Sequence, residues 1–129
     1  MAHGSKRILI VDDEPPVIDL LREFFKSFRH DHAYEIEAAS NGADAYLAVL
    51  RARPDLVLLD MTMPGMDGLT LLKQIRAIEP RLPVIMVTAN QDSRAAAEAQ
   101  AAGVFAYVPK PFDFRHLDHL VALVFPKPR

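Results

Sequence analysis

Hydrophobic positions in this chain follow two alternating patterns. Short, nearly continuous apolar runs stand at Ile8-Leu9-Ile10-Val11, Leu56-Val57-Leu58-Leu59, Val84-Ile85-Met86-Val87 and Phe105-Ala106-Tyr107-Val108. They predict strands near 7–11, 55–59, 83–87 and 105–108, the first three unbroken enough to be covered on both faces. Another strand near 34–38, Tyr34-Glu35-Ile36-Glu37-Ala38, alternates with polar residues and reads as an edge strand. Between the strands the apolar residues recur at helical steps. A helix near 15–28 carries Ile18, Leu21, Phe25 and Phe28, and two prolines at its start fall where no intrahelical N–H bond is needed. One near 42–52 follows Ser40-Asn41 as capping candidates, with Leu47 and Leu50 expected to face inward. A third follows Asp67-Gly68 with Leu69, Leu72 and Ile75, and Pro80 stops it. A fourth near 92–102 is Ala-rich and ends at Gly103; a fifth starts at Asp113 with Phe114, Leu117, Val121 and Val124 as its stripe. This alternation predicts an α/β fold, a parallel sheet with crossover helices.

Composition narrows the class. The 129 residues fit one domain, expected over 6–125, with 1–5 a cloning remnant or disordered N-terminus and 126–129 a tail or linker stump. A net charge of −2 lacks the basic excess of a nucleic-acid binder, so no direct nucleic-acid contact is expected. No cysteine is present, which excludes disulfides and thiolate metal sites and fits a reducing compartment. No apolar run is long enough to span a bilayer, so no membrane role is expected, and the reading is a cytoplasmic protein.

The chemistry lies at the ends of the runs. Asp12-Asp13 closes the first, Asp60 the one at 56–59, and Thr88 the one at 84–87; Lys110 follows Pro109 after the last. If the strands are parallel, these groups share one sheet edge, where open α/β sheets carry their sites. Two carboxylates at ~4 Å repel by about 4 kcal/mol at an effective dielectric of ~20, so such a cluster calls for a cation or a proton. All-oxygen donors suit Mg²⁺, with Mn²⁺ an alternative. Taken alone, Asp12-Asp13-Glu14 could merely cap the first helix, Lys110 could be a solvated lysine and Thr88 an ordinary strand end. Asp60 also closes a continuous strand with no helix directly behind it. Its carboxylate could attack a phosphoryl group if a metal and a cation such as Lys110 neutralise the equatorial oxygens, with Thr88 as a hydrogen-bond donor.

Val11-Asp12-Asp13-Glu14, Asp60-Met61-Thr62-Met63-Pro64-Gly65-Met66-Asp67-Gly68, Val87-Thr88-Ala89 and Lys110-Pro111-Phe112 together resemble the receiver domain of two-component response regulators. The resemblance covers roughly residues 6–125 and implies a flavodoxin-like (βα)5 doubly wound sheet of five parallel strands in the order 2-1-3-4-5. It implies that Asp60 accepts a phosphoryl group from a sensor histidine kinase or phosphotransfer protein. It also implies that Asp13 binds Mg²⁺ directly, Asp12 largely through water, and the Thr62 backbone carbonyl completes the shell. Lys110 would pair with the phosphoryl oxygens, and the Lys110–Pro111 bond is typically cis in the family. Thr88 and Tyr107 would be the switch pair, altering the face built from residues 92–124 that controls a partner, an output domain or a phosphorylation-dependent homodimer. Ala95, Ala96, Ala99 and Ala102 on that face are small enough to allow close approach of another backbone. The resemblance implies no enzyme acting on an external substrate, only promotion of its own phosphorylation and dephosphorylation. Two positions that tune acyl-phosphate hydrolysis in the family are Thr62 and Asn90, neither able to act as a general base.

Three alternatives compete. A haloacid-dehalogenase-like phosphohydrolase shares the strand-end Asp and Mg²⁺ but needs a second acid at the position of Thr62. A flavin or nucleotide binder needs a Gly-rich phosphate loop where this chain has two carboxylates. A pseudo-receiver would lack signature residues that are all present. The five histidines, including His116 and His119 on the fifth helix, have no convincing metal spacing and read as surface residues.

Overall fold

A computed structural model of the chain describes residues 5–27, 33–63, 66–89 and 93–126. Five parallel strands form the sheet: β1 (Ser5–Val11), β2 (Ala33–Ala39), β3 (Leu56–Asp60), β4 (Val84–Thr88) and β5 (Ala106–Pro109). Their spatial order is β2-β1-β3-β4-β5, the flavodoxin-like order expected. The helices are α1 (Pro15–Ser27), α2 (Gly42–Arg51), α3 (Gly68–Ile78), α4 (Ser93–Ala101) and α5 (Phe114–Val124). After β3 the chain makes a short antiparallel ribbon, Thr62–Met63 against Met66–Asp67, before entering α3.

The continuous apolar runs are explained by a sheet covered on both faces, since successive strand residues point to opposite sides. Leu9, Val11, Val57, Leu59, Val84 and Met86 point into a core shared with α2, α3 and α4. Ile8, Ile10, Leu56, Leu58, Ile85 and Val87 point into a second core shared with α1 and α5. β2 lies at an edge and is only partly covered, as its alternating sequence predicts. Asn41, Asp67 and Asp113 cap α2, α3 and α5, their side chains accepting from the N–H groups of Asp44, Leu69 and Arg115. Each such cap contributes about 1 kcal/mol.

Two expectations, in α2 and α4, need correction, and the α1 stripe gains a residue. Leu47 and Leu50 do not face inward; they are 56% and 55% exposed. The buried stripe of α2 is Gly42, Ala45, Ala48 and Val49, which follows the 3.6-residue period and uses small side chains to bring the helix close to the sheet. In α1, Phe24 joins Leu21 and Phe25 in the core, whereas Ile18 is half-buried and Phe28 lies outside the described residues. In α4, Ala95 and Ala99 are buried against the protein's own core, so they offer no outward face. The start of the fourth helix near 92, His30, His32 and the two terminal tails (1–4 and 127–129) also lie outside the described residues. Among the described residues no helix is long and apolar enough to cross a membrane.

Candidate phosphoryl-acceptor site

Parallel pairing brings the strand ends to one edge, and the expected groups converge there. Asp12 leaves β1 with its N–H bonded to Ala39 O at 3.0 Å. Asp60 is the last residue of β3 and Thr88 the last of β4; both are buried, as is Asp12. Lys110 leaves β5 with its N–H on Thr88 O at 2.8 Å, and the Lys110–Pro111 bond is cis.

The charges then meet at close range. Lys110 Nζ donates to Asp12 Oδ2 at 3.1 Å and to Asp60 Oδ2 at 3.4 Å, and lies 3.8 Å from the exposed Glu14. One oxygen from each of Asp12, Asp13 and Asp60 falls within 4.8 Å of the others. Burial alone would lower the Lys110 pKa. The hydrogen bond to Asp12 and the charges of Asp12, Asp60 and Glu14 outweigh it, so the ammonium is held charged above its usual range. One ammonium facing three carboxylates leaves an uncompensated negative cluster, at about 4 kcal/mol of repulsion per close pair. The donors are hard oxygens only, so the set fits a divalent cation of the Mg²⁺ kind. Asp12 also performs the bland role: its Oδ1 accepts from Glu14 N at 2.9 Å at the start of α1 while its Oδ2 faces Lys110. Capping and site-building are therefore one arrangement, not alternatives.

The model of the response regulator receiver domain matches residues 8–122. The chain belongs to that family. Similar relatives include sporulation initiation phosphotransferase F of Bacillus subtilis (strain 168), 37% identical over 122 residues that make up 95% of each chain. The DNA-binding transcriptional regulator NtrC of Escherichia coli (strain K12) is 52% identical over 84 residues, 65% of this chain and 17% of NtrC. The chain thus spans about a sixth of the length of the NtrC relatives it matches. Among solved structures, chemotaxis protein CheY4 of Vibrio cholerae superposes with a TM-score of 0.83 at 25% identity, covering 94% of this chain and 99% of that one. Nothing in these matches supports the phosphohydrolase alternative.

This receiver domain shows local features that its motif alone did not explain. Gly68 opens α3 directly against the backbone of Asp60 and Met61. Its N–H bonds to Met61 O at 3.1 Å, and an added Cβ would meet Met61 Cα at 2.7 Å and Met61 O at 2.8 Å. The Asp67-Gly68 pair therefore combines a helix cap with the close approach that holds the end of β3. Thr62 enters the ribbon opposite Asp67; its side chain, like all of Pro64, Gly65 and Asn90, lies outside the described residues. Tyr107 is half-buried on the α4 side of the sheet, and its hydroxyl donates to Met61 Sδ at 3.3 Å. Met61 was not singled out from the sequence. Its position next to Asp60 was the one available signal, since its partner is 46 residues away.

Proposed function

We propose that Asp60 is the phospho-acceptor of this receiver domain, and that its donor is a phosphohistidine on a sensor kinase or a phosphotransfer protein. The observation that supports this most is the Lys110 ammonium bridging the buried Asp12 and Asp60, with Asp13 completing the acidic cluster. In the reaction a carboxylate oxygen of Asp60 attacks phosphorus in line. The new O–P bond forms as the donor's N–P bond breaks, and the imidazole departs with its electron pair. Asp12, Asp13, Asp60 and the Thr62 carbonyl would hold Mg²⁺, or Mn²⁺, which when bound supplies positive charge to the phosphoryl oxygens. Lys110 neutralises them from the other side, and Thr88 donates a hydrogen bond.

The resulting acyl phosphate adds negative charge beside Asp12, and the domain responds through Thr88 and Tyr107 at the face of α4, β5 and α5. That face would control a downstream protein, an output domain or a second copy. The reading is a cytoplasmic signalling module without turnover of an external substrate. Incubation with a small-molecule phosphodonor and Mg²⁺ should add one phosphoryl group by intact-mass measurement, and Asp60→Asn should abolish it. Undiminished labelling of the Asp60→Asn protein would overturn the assignment.

A further inference from the structure

The residue that follows the proposed acceptor has an unassigned connection to the switch. Met61 is fixed at its base from two sides: its N–H bonds to Val87 O at 2.9 Å, and its carbonyl accepts from Gly68 N at 3.1 Å. Its side chain is buried in the core between the sheet and α2, α3 and α4. Tyr107 is in register with Met86 on the neighbouring strand, and Thr88 stands two residues beyond Met86 on the same face. From that position the Tyr107 hydroxyl reaches across β4 to Met61 Sδ on β3's extension. A thioether is a weak acceptor, so the contact can hold the ring in one place yet release it readily.

We propose that Met61 is a positioning residue for the switch: its thioether sulfur latches Tyr107 inward, setting how far the switched arrangement is populated before phosphorylation. The latch rests on the reading of Asp60 as acceptor and Tyr107 as switch residue. It gives the backbone around the acceptor a direct mechanical link to the ring. Any shift of Met61 when Asp60 gains a phosphoryl group displaces the acceptor atom of the Tyr107 hydroxyl. A ligand or modification can shift a two-state element only by its differential interaction with the two states, and this contact is one such difference.

The test uses Met61→Leu, which keeps the volume and removes the acceptor, and Tyr107→Phe, which removes the donor. In the unphosphorylated protein with Mg²⁺, NMR should show a nuclear Overhauser contact between the Tyr107 ring and the Met61 ε-methyl. Each single variant should change the rate of phosphorylation by a small-molecule donor by about two- to fivefold, the range a weak thioether contact allows. The double variant should change it by less than the product of the two single changes. A merely structural role for Met61 would give effects that multiply. Multiplying effects, or absence of the ring-to-methyl contact, would overturn the latch. The NMR contact is read without phosphorylation, so it decides the latch even if Asp60→Asn were to retain its label.

Discussion

Replacing Arg76 with Ala should destabilise the protein more than its surface position on α3 would suggest. The guanidinium donates to five backbone carbonyls. Nη1 reaches Leu82 O at 2.7 Å, Pro80 O at 3.0 Å and Glu79 O at 3.2 Å; Nε reaches Ala102 O at 3.2 Å and Nη2 Gly103 O at 3.0 Å. It thus closes the C-terminal ends of α3 and α4 together, where carbonyls lack intrahelical partners. The bonds to Pro80 and Gly103 are exposed, so water replaces them at little cost. Those to Ala102, Glu79 and Leu82 are partly buried; Glu79 O keeps its bond from Leu82 N at 3.3 Å, whereas Ala102 O and Leu82 O lose this donor at about 1 kcal/mol each, the low end of the range for buried acceptors. Burial lowers the Arg76 pKa, so removing the side chain also relieves some desolvation, which keeps the loss from exceeding the cost of those two carbonyls. The net loss is about 2 kcal/mol. With an unfolding entropy of roughly 2.1 cal/mol/K per residue, this lowers the melting temperature by about 7 °C.

Urea unfolding followed by circular dichroism should show the midpoint falling with an unchanged slope. Amide exchange should quicken at Gly103 and Val104, whose N–H groups bond back to Gln100 and Ala99 in α4. Arg76→Lys should recover little, because an ammonium offers three donors from one point and cannot span carbonyls on two helices. A loss below about 0.5 kcal/mol, the usual size for a plain surface substitution, would refute the reasoning. Full recovery by lysine would show that charge at the helix ends matters and the fork geometry does not.

Asp13→Asn should stabilise the metal-free protein by on the order of 1 kcal/mol, discounted for its partial exposure, because it relieves like-charge repulsion. It should also remove most of the stabilisation that Mg²⁺ confers; equal Mg²⁺ effects on urea midpoints of variant and parent would exclude Asp13 as a ligand. Tyr34, between Phe25 and Phe125, has its pKa pushed up to about 12 by burial and then by the negative charge of Asp118. The unfolded phenol ionises near its ordinary 10, so from there to about 12 the unfolded state binds fewer protons and stability falls as pH rises. Tyr34→Phe should flatten that alkaline decline; Lys110, also raised, declines in the same direction in both proteins and cancels in the comparison.

The strand-end chemistry was legible because strand and site share one signal. A continuous apolar run fixes where a strand ends, and parallel pairing fixes which edge the next residue occupies. Asp12, Asp60, Thr88 and Lys110 follow from that rule alone. What failed was the weighting of size over spacing in α2, where two leucines outweighed an alanine stripe that in fact contacts the sheet. Arg76 was illegible for a different reason. Its partners are backbone carbonyls up to 27 residues away, and a carbonyl carries no side-chain signature.

These two blind spots meet in α4. Among its described residues only Ala95 and Ala99 are buried, and alanine side chains bury little apolar area. The helix therefore buries little along its length and gains its partly buried side-chain bond from Arg76 at Ala102 O, just past its C-terminal end. Tyr107 packs against the core beneath the same helix, and its hydroxyl donates to Met61 on the far side of β4. On the switch proposed above, movement of that ring changes the seating of α4 without breaking the sheet. In that proposed switch the Arg76 bond at Ala102 O leaves the opposite end of α4, the one that follows Thr88 in the chain, as the end expected to move.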